Sequence, residues 1–135
     1  MDVNIEGLAG LPGFSGFAPA SEAAVAEAES ALGLRFSPDF RSALLEYGCI
    51  ETDGHELTGL IDSRRLNVVR VTKDMRSIYK ALGLYSYVIE DTYVDGVIIC
   101  QDSSGSVFQL DLSGGFKKIA SSDHVGNVGV RTAAH

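Results

Sequence analysis

The chain has 135 residues, of which 45% are hydrophobic and 21% charged. That is room for one domain with its own core, and too apolar for a disordered chain. The net charge of −7 repels a phosphate backbone and excludes nucleic acid as an expected direct partner.

No apolar run approaches the roughly 18 residues that a transmembrane helix needs, so no membrane partner is expected. The start, Met1-Asp2-Val3-Asn4-Ile5-Glu6, is acidic where a secretory signal would be basic, and a cytoplasmic location is the expectation. The charge is uneven. Residues 1–62 carry 2 bases against 11 acids, residues 64–80 carry 6 bases against Asp74 alone, and residues 81–135 carry 3 against 6.

The first twenty residues, with Gly7, Gly10, Gly13 and Gly16, read as an irregular lead-in. Leu8, Leu11, Phe14 and Phe17 are too apolar to float, and the segment is expected to lie against the core, on the same chain or across a dimer. Ser21 caps a first helix running to Leu32, with Val25, Ala28 and Leu32 on one stripe and Gly33 as its stop. Ser37, Pro38 and Asp39 open a second helix, Phe40, Ala43, Leu44 and Tyr47 form its apolar face, and Gly48 ends it. Asp53-Gly54 marks a turn, and Leu57 to Ile61 reads as a short strand. Val68, Val71, Met75, Ile78, Tyr79 and Leu82 share one face of a helix predicted over 67–82.

Strands dominate the last third. Tyr85 to Glu90 and Val97 to Gln101 are rich in β formers, and Phe108, Leu110 and Leu112 alternate with polar residues. Asp95-Gly96 suits a tight hairpin, and Asp102-Ser103-Ser104-Gly105 a longer one. The result is an antiparallel meander of three strands, four or five with flanking pieces such as Lys117 to Ala120. Helices first and hairpins after give an α+β fold, with helices packed on an antiparallel sheet. The domain is expected over 21–122, preceded by the lead-in and followed by a poorly ordered tail at 123–135.

Catalytic motifs are absent: there is no phosphate-binding glycine loop, no H-E-x-x-H and no G-x-S-x-G. His55-Glu56 with Asp53 makes a poor metal site, because loop groups lack fixed geometry. Ser121, Ser122, Asp123 and His124 read as a polar tail rather than a triad. Cys49 and Cys100 have no metal-type spacing and read as thiols, with Cys100 a buried small hydrophobe in the run Val97 to Cys100. No cofactor and no metal is expected. The six cations of residues 64–80 admit an anion site, but self-pairing or a solvated face is favoured.

The acidic run Glu90-Asp91-Thr92-Tyr93-Val94-Asp95, with Asp102 beyond it, is the most distinctive polar feature. It reads as a carboxylate pair or cation site, as a protein-binding surface anchored by Tyr93, or as ordinary turn chemistry. As a partner surface its contacts are Glu90, Asp91, Tyr93, Asp95 and Asp102, with Asp91 brought near Asp95 by the hairpin.

The order of motifs resembles a known family. Val25-Ala26-Glu27-Ala28-Glu29-Ser30-Ala31-Leu32-Gly33-Leu34-Arg35-Phe36-Ser37-Pro38-Asp39-Phe40 is similar to the "aE-x-x-LG-x-x-lP-x-dy" opening of the SUKH superfamily. Leu44-Leu45-Glu46-Tyr47-Gly48 is similar to its helix end, Asn67-Val68-Val69 with Thr72 and Arg76 to its next helix, and Tyr87-Val88-Ile89-Glu90-Asp91 to its first hairpin strand. The stretch from Asp95-Gly96 through Gln101-Asp102 and Gly105 to Val107-Phe108 resembles the family's "dG-x-x-x-x-qd-x-x-G-x-vy". Ser37 replaces an apolar residue, and after Lys117-Lys118-Ile119-Ala120 the aromatics of the family's last helix are missing.

The superfamily includes fungal cell-wall-synthesis regulators and bacterial immunity proteins. The resemblance implies an α+β fold and a non-enzymatic protein-binding role. In the bacterial case the implied partner is a cognate toxin domain, basic if it is a nuclease, which the protein binds and neutralises. In the fungal case the domain is a general regulatory or assembly module.

Overall fold

Ser21 and Gly33 bracket the first helix as their chemistry requires. In the computed structural model, which describes residues 12–120, helix α1 spans Glu22–Leu32. The Ser21 hydroxyl accepts from the Ala24 N–H at 3.0 Å, and Gly33 closes the helix in the left-handed conformation. Helix α2 spans Pro38–Tyr47, and the Ser37 hydroxyl accepts from the Phe40 N–H at 3.1 Å. Gly48 ends it at φ +70°, where a Cβ would lie 2.0 Å from the Ala18 carbonyl oxygen. Only glycine fits there, because the lead-in passes directly over this stop.

That lead-in supplies strand β1, Ser15–Gly16, which pairs antiparallel with β2, Ile50–Thr52. Phe14 meets Tyr47 edge-on at 5.1 Å. Strand β2 turns through Asp53-Gly54 into β3, His55–Glu56, completing a small three-stranded sheet. The expected strand at 57–61 is displaced toward the turn. Leu57 instead makes an isolated bridge to Glu90, and Gly59 one to Asn67. The Thr58 N–H donates to the Ile89 carbonyl at 2.9 Å and its hydroxyl to the Val88 carbonyl at 2.7 Å. These bonds fasten the small sheet to the large one.

Helix α3 spans Val68–Arg76, capped by the Asn67 side chain, which accepts from the Val69 and Arg70 N–H groups. It stops six residues before Leu82, the expected end. The Ser77 hydroxyl donates to the Asp74 carbonyl at 2.7 Å, and the chain continues in turns. Tyr79 and Leu82 are still buried, but Ile78 is 54% exposed and leaves the predicted apolar face.

The large sheet is an antiparallel meander of β4 (Ser86–Asp91), β5 (Ile98–Asp102), β6 (Val107–Leu110) and β7 (Phe116–Ala120) in that order. One buried cluster joins Val25, Leu32, Phe40 and Leu44 of the first two helices to Tyr87, Ile89, Ile99 and Val107. A second joins Val88, Ile98, Cys100 and Leu110 to Val71, Tyr79 and Leu82. The sheet is therefore covered on both faces. Each fully buried aliphatic side chain contributes about 1.5–3 kcal/mol of transfer energy. Leu112, expected to continue the alternation of β6, lies beyond the strand and is 63% exposed. The expectations for residues 1–11 and for the tail, including Asp123 and His124, lie outside the described residues.

Candidate functional site

The sheet-joining bridge creates the site. It sets Leu57 against Glu90, and so brings the β2–β3 hairpin to the end of β4. A register shift between Val88 and Glu90 bulges β4 at this point. Glu90 is 3% exposed. Its Oε2 lies 2.7 Å from Nδ1 of His55, whereas its Oε1 is buried with no hydrogen-bond partner. Burial pushes the Glu90 carboxyl above the ordinary glutamate range, and His55 opposes that shift.

Around this pair opens a cleft of about 320 Å³, lined by Glu51 and Thr52 from β2, Gly54, His55 and Glu56 from the turn and β3, and Glu90 to Tyr93. Arg65 stands beside it. The Arg65 guanidinium engages both oxygens of Glu56, with Nη2–Oε2 at 3.1 Å, and lies near the Tyr93 side chain. This contact holds the Glu56 carboxyl below its usual range. The cleft thus concentrates negative charge beside an aromatic ring.

The expected contacts separate in space. Glu90, Asp91 and Tyr93 all line the cleft. Asp91 Oδ1 accepts from the Tyr93 N–H at 2.9 Å, and Tyr93 sits at φ +58° and is 61% exposed. Asp95, at φ +55°, sits beyond the cleft on the turn closed by the Val97 N–H on the Val94 carbonyl at 3.0 Å. The connection from β4 to β5 is therefore longer than a two-residue hairpin, running from Thr92 to Val97. Asp102 lies at the other end of β5, opposite Ser86, whereas Asp91 pairs with Ile98. Four residue steps put the two ends about 13 Å apart along the strand. Asp102 Oδ1 accepts from the Ser104 N–H, the Ser104 hydroxyl and the Ser106 N–H, and so serves its own turn.

Sequence reasoning overlooked Glu51, Thr92 and Arg65 as parts of this site. It grouped His55 with its neighbours Asp53 and Glu56, whereas the fold turns His55 toward Glu90, 35 residues away. Among the described residues, no group of three or more His, Cys, Asp or Glu side chains is placed to hold a metal ion. The two thiols are buried, and burial pushes Cys49 up to about 11 and Cys100 to about 12. Neither is poised as a nucleophile at neutral pH.

The basic segment is partly spent on the chain itself. Besides the Arg65–Glu56 pair, Arg76 Nη2 donates to the Leu32 carbonyl at 3.2 Å and to the Leu84 carbonyl at 2.9 Å, so it staples the end of α1. Arg64 and Arg70 flank a second cleft of about 370 Å³ beside the start of α3, shared with Asp62, Ser63 and Asn67. No helix of the described residues is long and apolar enough to cross a membrane.

No curated protein matches the chain. A family model does, over residues 22–122, which run from α1 through the last strand of the meander. That model is SUKH_6, described as SMI1-KNR4 cell-wall, and with most of its length matched the chain belongs to this family of the SUKH superfamily.

Proposed function

We propose that this SUKH domain is a non-enzymatic protein-binding module of the cytoplasm, and that it acts as an immunity protein that binds a cognate toxin domain and occludes its working surface. The observation that carries the reading is the acidic cleft at the end of β4, with exposed Tyr93 at its rim. An exposed aromatic beside a charged pocket is the composition of an interface anchor. The chain's −7 charge would steer a basic partner such as a nuclease domain toward it. Asp91, Tyr93 and Asp95 are the contacts expected on the surface, with Glu90 beneath them. The second reading, a regulatory or assembly module, draws on the family description, which refers to the cell wall.

The test is co-expression with the products of the adjacent genes. A neighbour that is toxic alone, tolerated in the presence of this chain and recovered in a stoichiometric complex with it supports immunity. Toxicity that co-expression leaves unchanged overturns immunity. A stable complex with a non-toxic housekeeping protein moves the assignment to the regulatory module. In the supported case, reversing charge at Asp91 and Asp95 together should slow association about tenfold at low salt, with the difference shrinking as salt rises.

A further inference from the structure

The cleft holds two features that a generic acidic surface does not require. The first is the buried Glu90 Oε1, which lacks a donor although its side chain lines the cleft. Buried carboxylate oxygens left unpaired are uncommon, because they forfeit their hydration without replacement. The second is the geometry of Arg65. Its planar fork grips both oxygens of Glu56, yet it is 51% exposed and is not among the residues that line the cleft. The molecule therefore already shows, within its own chain, the kind of cation these carboxylates accept.

We propose that the cleft is a receptor for one arginine side chain of the protein partner. The inference rests on the protein-binding role above and adds the chemistry of the contact. The incoming guanidinium donates to the partly exposed carboxylates of Glu51 and Asp91, with the buried Glu90 carboxylate behind them, and it stacks on the Tyr93 ring. Four carboxylates line the cleft; Arg65 engages Glu56 and His55 engages Glu90, which leaves Glu51 and Asp91 for a further cation. Arginine suits the site better than lysine. Its five donors lie in one plane and reach several oxygens together, and it is less strongly hydrated than an ammonium group.

The experiment titrates the isotope-labelled full chain with N-acetyl-arginine methylamide and follows the backbone amides by NMR. N-acetyl-lysine methylamide, sodium chloride and magnesium chloride serve as matched controls. Saturable shifts at His55, Glu56, Asp91 and Tyr93, with arginine at least fivefold tighter than lysine, are expected. Glu90→Gln should weaken the arginine probe about fivefold. The double variant Glu51→Gln with Asp91→Asn, which alters only partly exposed groups, should weaken it at least as much. Equal responses to lysine or sodium chloride, tighter saturation by magnesium, or unchanged affinity in both variants would each overturn the proposal. Arginine binding in a chain that protects against no toxin would leave the pocket standing and remove immunity. A toxin complex indifferent to both variants would do the reverse.

Discussion

Two buried polar clusters sit on neighbouring strands of the same sheet, and they are built differently. At one end of the β4–β5 hairpin, Gln101, Tyr87 and Ser37 close on one another. Gln101 Oε1 accepts from the Tyr87 hydroxyl at 2.8 Å and from the Ser37 hydroxyl at 3.1 Å, and its Nε2 donates to the Gly105 carbonyl at 3.2 Å. The Tyr87 oxygen in turn accepts from the Ser37 N–H at 2.9 Å. At the other end, Glu90 has His55 on one oxygen and nothing on the other. The first cluster is neutral and complete, so it can be fully buried without loss and pins the start of α2 to the sheet. The second is ionisable and incomplete, which detracts from stability. The contrast separates polar burial that is complete within the fold from polar burial that the fold leaves incomplete.

The largest expected effect comes from breaking the closed cluster. Gln101→Ala strands two hydroxyls in the core and leaves a cavity, and should cost about 3–4 kcal/mol. Urea denaturation should show a lower midpoint at an unchanged slope. A loss below about 1 kcal/mol would mean that the network does not hold α2 to the sheet. Tyr87→Phe is milder. It keeps the ring against Phe36 and Phe40, at centroid distances of 4.9 and 5.0 Å, but orphans the Ser37 N–H. About 1–2 kcal/mol should be lost. A neutral result would show that another acceptor reaches the Ser37 amide.

The open cluster should respond in the opposite sense. Glu90→Gln keeps the shape and removes a buried ionisable group, so at neutral pH it should be neutral or slightly stabilising. The pH dependence gives the sharper test. Burial raises the Glu90 pKa in the folded chain, so the folded state holds this proton to higher pH than the unfolded state does. Its contribution to stability therefore falls as pH rises from the ordinary glutamate range through the raised value, and is flat above it. The variant lacks that decline. Urea midpoints measured from pH 4 to pH 8 should show the wild type losing ground to Glu90→Gln over this window. Parallel curves would show that Glu90 feels no net burial penalty.

These two clusters also mark where the sequence was legible. The closed one grows from local signals. Ser37-Pro38 announces the helix start, and the strands carrying Tyr87 and Gln101 follow from β-rich runs bounded by turns. The open one depends on Leu57 bridging Glu90, a pairing that no local pattern encodes. For the same reason Glu90 read as a surface acid, although the bulge and the β2–β3 hairpin bury it. Helix α3 was overextended for a different cause. Tyr79 and Leu82 keep helical spacing and are buried, but turns deliver them to the core as well as a helix would. Burial periodicity records which residues face inward, and not the hydrogen bonds that carry them there.

The smallest expected effect on the fold lies at the boundary of the open cluster. Asp95 holds φ +55° and precedes Gly96 at φ +69°. Asn-Gly is at least as well suited as Asp-Gly to a turn with two positive φ values, so Asp95→Asn should shift stability by only a few tenths of a kcal/mol. This makes it a clean probe of charge. Asp95 does not line the cleft, whereas Asp91 does. If recognition is confined to the cleft, Asp91→Asn should slow association with a basic partner about threefold at low salt, and Asp95→Asn by much less. Equal slowing by both would extend the interface over the whole β4–β5 turn. In that case overall charge, rather than the unpaired oxygen of Glu90, would govern recognition.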